Sequence, residues 1–109
     1  MAPNSLRLTA AARRDIEGIR QHTLETWGRE TWLEYVTGAD EIFRRILDNP
    51  LVGVNRDGLA PRLRSVLYRS HIIFFTTTQS GQRVVLRMLH QKQNAEALAW
   101  ARTVEGDEG

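Results

Sequence analysis

The stretch from Pro61 to His90 restricts what this chain can fold into more than any other. It reads Pro-Arg-Leu-Arg-Ser-Val-Leu-Tyr-Arg, then Ser-His-Ile-Ile-Phe-Phe-Thr-Thr-Thr, a Gln-Ser-Gly-Gln turn, and Arg-Val-Val-Leu-Arg-Met-Leu-His. β-Branched and aromatic residues dominate, and strand-breaking residues mark the turn and the ends, so the spacing predicts a three-stranded antiparallel meander. Side chains two apart on a strand share a face. Arg62 and Arg64 should therefore project together and Leu63 and Leu67 to the other side, giving one apolar face and one that displays guanidinium, with Arg69 at a strand end breaking the alternation. His90 closes the last strand, where a side chain becomes accessible. The arginine-bearing face is the first candidate for a binding surface.

The N-terminal half is helical. Ser5 to Leu8 reads as a short strand with Leu6 and Leu8 on one face, and the Thr9 hydroxyl is placed to cap a following helix. Ala12, Ile16, Ile19, Thr23 and Trp27 recur at helical spacing, and Gly28 supplies a left-handed stop. A second helix runs from about Glu30 to Leu47 with Trp32, Val36, Ala39, Phe43 and Ile46 as its stripe, and ends at Asp48-Asn49-Pro50 because proline cannot continue it. So short a connection folds the two helices into an antiparallel hairpin whose apolar side needs the sheet as partner. Leu51 to Ala60, with two glycines and an Arg56-Asp57-Gly58 turn signal, reads as a loop. Asn94 is placed to cap a short terminal helix to about Arg102, with Leu98 and Ala101 inward and Trp100 nearby, before an acidic tail over 105–109. The expected class is α+β: strand and helical hairpin on an antiparallel sheet of about four strands, in a single domain over 1–104.

With 109 residues there is room for one core. Cysteine is absent, which removes disulfides, thiolate metal sites and cysteine nucleophiles. No apolar run approaches the roughly 20 residues of a membrane helix, and the N-terminus lacks the pattern of a signal peptide, so a cytoplasmic protein is expected. All basic residues but Lys92 are arginine, at a net charge of only +2. Arginine suits phosphate, carboxylate and aromatic partners, yet a GC-rich genome yields the same bias. No glycine-rich phosphate loop, His-Glu-x-x-His or Gly-x-Ser-x-Gly occurs, and neither a metal nor a cofactor is expected. His22 reads as a helix-surface or boundary residue and His71 as a structural hydrogen-bonding one. His90 is placed either to order the loop after it or to move a proton. Trp27 and Trp32 read as the packing that closes the helical turn.

The ordered set Leu8-Thr9-Ala10-Ala11-Ala12-Arg13-Arg14-Asp15-Ile16-Glu17-Gly18-Ile19, Trp27-Gly28, Asp48-Asn49-Pro50-Leu51-Val52-Gly53, Leu63-Arg64-Ser65, Ser70-His71-Ile72-Ile73-Phe74-Phe75 and Arg87-Met88-Leu89-His90 resembles the ParE toxins of the RelE/ParE superfamily. The resemblance implies a bacterial toxin in a heteromeric complex with a ParD-like antitoxin, acting on DNA gyrase. By this reading Arg62, Arg64, Arg69, Arg87, His90 and Trp100 would meet the target, and Trp32, Tyr35 and Phe43 the antitoxin. The RelE branch instead cuts messenger RNA on the ribosome, which here would fall to Arg64, Arg87 and His90. Fold cannot choose between the branches. The residues lean toward ParE: the lysines common in RelE-type sites are missing, no glutamate lies between Glu41 and Glu96, and Arg87 and His90, three apart, should face opposite ways on a regular strand.

Overall fold

The computed structural model describes residues 6–93 and 95. β1 (Arg7–Leu8) leads into α1 (Ala10–Thr26) and α2 (Arg29–Asp48), followed by β2 (Val54–Asn55), β3 (Arg64–Tyr68), β4 (His71–Thr77) and β5 (Arg83–His90). The sheet order is β1-β5-β4-β3-β2, with β1 parallel to β5 and every other pair antiparallel. The α+β class is the expected one, on five strands instead of about four. The additional strand, β2, falls in the stretch expected to be a loop. Its two residues add a rung beside Ser65 and Arg64 without an apolar alternation of their own.

Local chemistry sets the ends of the helices. Thr9 caps α1 by accepting from the Ala12 N–H, and its hydroxyl donates to the Leu86 carbonyl, so one residue starts the helix and ties it to β5. Gly28, at φ 93°, reverses the chain between α1 and α2. The predicted stripe of α1 holds at Ala12, Ile16, Ile19 and Thr23 and fails at Trp27. That ring is 69% exposed and does not close the turn, because the helix ends at Thr26 and the indole departs from its face. Trp32 does pack, stacking on Tyr35 at 5.8 Å between ring centres.

The meander forms as expected, but its two faces differ from the forecast. One buries Val66, Ile73, Phe75, Val85 and Met88 under the helices. The other buries Leu63, Phe74, Val84, Leu86 and Leu89 with Leu59 and Ala60 against them. Neither face is a field of guanidinium, since burial on both sides leaves no row of strand positions for charge. Leu67 is 61% exposed although Leu63 is buried, because the cover over Leu63 does not extend along β3. Nor does alternation pair Arg62 with Arg64: Arg62 precedes the strand in a left-handed conformation (φ 63°). A glycine is needed at Gly38, where any Cβ would overlap the Tyr68 ring and hydroxyl; the phenol crosses α2 there and donates to the Tyr35 carbonyl at 2.8 Å. The helix expected from Asn94, with Leu98, Trp100 and Ala101, and the acidic tail lie outside the described residues.

Candidate functional site

The arginines named from sequence divide into two kinds. Arg64 turns its guanidinium onto the carbonyls of Leu51, Val52 and Gly53 (2.7–3.2 Å), binding the loop before β2 to β3. Arg87 grips Asp15 with two bonds, Nε to Oδ2 at 2.7 Å and Nη2 to Oδ1 at 2.9 Å, and the same carboxylate accepts from the Met88 N–H. This carboxylate raises the Arg87 pKa above its ordinary value. Arg62 and Arg69 are exposed. Arg69 takes a left-handed turn position (φ 54°) and lies over the Tyr68 and Tyr35 rings at 5.5 and 5.8 Å. Arg64 pairs with Phe75 at one end of the ladder while His71 pairs with Tyr68 and with His90 at the other. The two ends are four residue steps apart along the strand, about 13 Å.

The histidines, by contrast, converge. His22 on α1, His71 on β4 and His90 on β5 line one cleft of about 330 Å³ with Arg14, Asp15, Gly18, Ile19, Thr23, Met88 and Gln93. His71 and His90 oppose each other across the strands with ring centres 5.8 Å apart and edge to face. Each has a structural tie of the kind expected: His71 Nδ1 to the Tyr35 hydroxyl at 3.1 Å, and His90 Nδ1 accepting from the Lys92 N–H at 3.1 Å. Burial, with the neighbouring imidazoles of His90 and His22, holds the His71 pKa below the usual value, opposed by the Asp15 carboxylate. Burial and the adjacent Tyr68 push the Tyr35 phenol up, against the pull of Arg69, so it stays protonated at neutral pH. Among the described residues, no group of three or more acidic or histidine side chains is arranged to hold a metal ion.

A second recess, of about 270 Å³, is apolar. Trp32, Tyr35, Val36 and Phe43 from α2 line it with Ile16 of α1, Leu8 and Met88. All three residues expected to meet an antitoxin are therefore brought together in one groove. It adjoins the histidine cleft: Met88 lines both, and Tyr35 lines the groove while bonding His71 of the cleft.

Residues 6–95 match the model of the ParE toxin of type II toxin-antitoxin systems, parDE. The chain belongs to the ParE toxin family. The ParE1 toxin of Mycobacterium tuberculosis is 29% identical over 89 residues, covering 82% of this chain and 91% of the relative. ParE1 of Caulobacter vibrioides is 29% identical over 92 residues, or 84% and 93%. A solved chromosomal ParDE system from P. aeruginosa shares the fold at a TM-score of 0.66 and 24% identity, over 79% of this chain and 94% of that one. The chain is thus a ParE toxin of a toxin-antitoxin system.

Sequence reasoning missed Asp15; His22 is exposed on α1, as the surface or boundary reading expected, but its place in the cleft was not foreseen. Both flank the α1 stripe, two turns apart, and so share one helical face with Gly18 and Ile19. That spacing was visible. Their partners on β4 and β5 were not, because no local pattern records a contact across 72 residues.

Proposed function

We propose that this ParE toxin acts on DNA gyrase by protein–protein contact, not as a ribonuclease, and that a ParD-like antitoxin neutralises it by laying an apolar helical face into the groove of Trp32, Tyr35 and Phe43. The observation that carries the non-enzymatic reading is the scattering of the three residues that RNA cleavage would need. Arg64 is spent on loop carbonyls, Arg87 on Asp15, and His90 stands at the far end of the ladder from Arg64. Acid–base catalysis needs its groups within hydrogen-bond reach of one scissile bond, and side chains held in this way do not converge on one. Contact with a protein target has no such requirement and falls to exposed groups, of which Arg62 and Arg69 are the exposed arginines of the original set. The groove supports the antitoxin half of the reading. Apolar lining on a helical hairpin suits an amphipathic helix, and the P. aeruginosa neighbour is described as a ParDE system. The toxin's surroundings during action would then be cytoplasmic, where gyrase resides.

A supercoiling assay with purified gyrase, run beside a translation assay that maps messenger RNA ends, tests the target. Inhibited supercoiling without new RNA ends is expected. New ends that vanish in His90→Gln, with gyrase unaffected, would overturn the reading.

A further inference from the structure

The histidine cleft has no role in the function proposed above, yet its hydrogen bonds are arranged for a ligand. His90 Nδ1 accepts from a backbone N–H. A backbone amide can only donate, so the neutral ring carries its proton on Nε2, as a donor that the Lys92 bond does not use. His71 differs, because its Nδ1 partner is a hydroxyl. The Tyr35 hydroxyl can donate to a neutral imidazole or accept from a protonated one, so His71 can gain a proton without losing its bond, whereas His90 cannot. The carboxylate lining the cleft, Asp15, is already satisfied by Arg87 and the Met88 N–H. What remains is a set of donors with one guanidinium, Arg14, above an apolar floor of Gly18, Ile19 and Met88.

Such a site fits a carboxylate on an alkyl stem. A nucleic-acid backbone would need a track of fixed cations, and the cleft offers one. The apolar groove lies beside the cleft, with Met88 lining both and Tyr35 of the groove bonded to His71 of the cleft, so a peptide in the groove runs next to it. We propose that the cleft receives the carboxylate of an acidic side chain of the antitoxin segment that fills the groove, with His90 as a constant Nε2–H donor and His71 taking up a proton as the complex forms. This rests on the antitoxin reading above and adds to it a pH-dependent contact.

The groups that face His71 fix the direction of the effect. They are Arg14, Asp15 and His22 from α1, Tyr35 from α2 and His90 from β5. In the free toxin burial and the imidazoles of His90 and His22 disfavour the imidazolium, against the opposing pull of the Asp15 carboxylate. An incoming carboxylate favours it, so binding takes up a proton and tightens as pH falls.

The test is calorimetry of the full-length toxin with its co-purified antitoxin, separated and re-added at pH 6 and pH 8. Wild type is expected to bind about tenfold more tightly at pH 6. His71→Gln should flatten this dependence, and His90→Gln should weaken binding at both pH values. Trp32→Ala, in the groove, should weaken it equally at both. Binding by wild type that is independent of pH, or a slope retained in His71→Gln, would overturn the proposal while leaving the antitoxin reading intact. Absence of binding at either pH would overturn both. In case His71→Gln misfolds, the imidazole Cε1–H resonance of wild-type His71 is followed through a pH titration with and without antitoxin; a midpoint that does not rise in the complex refutes proton uptake. A short single-stranded RNA that displaces the antitoxin from wild type but not from His90→Gln would replace the carboxylate by a phosphodiester.

Discussion

The two outer edges of the sheet are finished with opposite charges. Along β5 the exposed backbone is met one group after another: Thr9 N–H donates to the Val85 carbonyl, the Thr9 hydroxyl to that of Leu86, Met88 N–H to Asp15, and His90 N–H to the Gln93 side chain. The short β1 covers only Val84 and Val85, and a carboxylate takes over where it stops. Along β3 the two residues of β2 pair with Arg64 and Ser65, and a guanidinium, Arg64, gathers the carbonyls of the incoming loop. Beyond Ser65 the next residue whose backbone faces outward by alternation is Leu67, and β2 has already ended. Unpaired N–H groups call for an acceptor and unpaired carbonyls for a donor. The chain uses a single charged side chain for each, and seals one edge much further than the other.

If that contrast is right, damage to the sealed edge costs most. Asp15→Ala leaves a half-buried guanidinium and a strand N–H without their acceptor, and is expected to destabilise the fold by about 3 kcal/mol in urea denaturation. Asp15→Asn, which keeps an acceptor for Met88, should cost less. Equal losses would mean that the charge contributes nothing there. Arg64→Ala frees three carbonyls beside solvent, where water replaces the donor, so about 1 kcal/mol is expected, with faster amide exchange at Val54 and Ser65 but not at Val85.

A pH series separates the edges further, because His71 belongs to the end of the ladder that β5 closes. Its folded pKa lies below the unfolded value of about 6.5. Between the two pKa values the unfolded chain binds more protons, so the free toxin is most stable above that pH and loses stability as pH falls through and below it. The same melts on His71→Gln should lose this component. The smallest effect belongs to the open edge. Leu67→Lys should change stability by less than about 0.5 kcal/mol, while lowering any self-association by edge pairing, as read by light scattering.

What could be read from sequence follows the same division. Thr9, the α1 stripe to Thr23, the Gly28 reversal and the meander were legible because each depends on neighbours within one turn or one hairpin. Trp27 misled because periodicity continues past the point where the helix stops. Leu67 misled because alternation says which side chains share a face and not how far its cover extends. β2 was illegible: two residues, Val54 and Asn55, become a strand only through β3. The arginines were legible as a group and not in their roles, since what distinguishes Arg87 from Arg69 is Asp15, far away in sequence. Likewise Trp32, Tyr35 and Phe43 share a groove partly because Tyr35 is drawn inward by His71 and Tyr68, on strands that α2's own pattern does not encode.

The place of β5 between β1 and β4 has a consequence for how the toxin comes into being. β1 pairs with β5, the first and last strands among the described residues, and the Thr9 bond to Leu86 spans 77 residues. Long loop closures of this kind are slow and gain nothing until both ends are present. A nascent chain stopped before Arg83 therefore holds a helical hairpin and a β-hairpin with no central strand to join them, and neither the groove nor the histidine cleft can exist, because both need Met88. During synthesis the cell is exposed to a folded toxin only after Arg83–His90 has been made, and the surface proposed to bind the antitoxin is completed by the same strand.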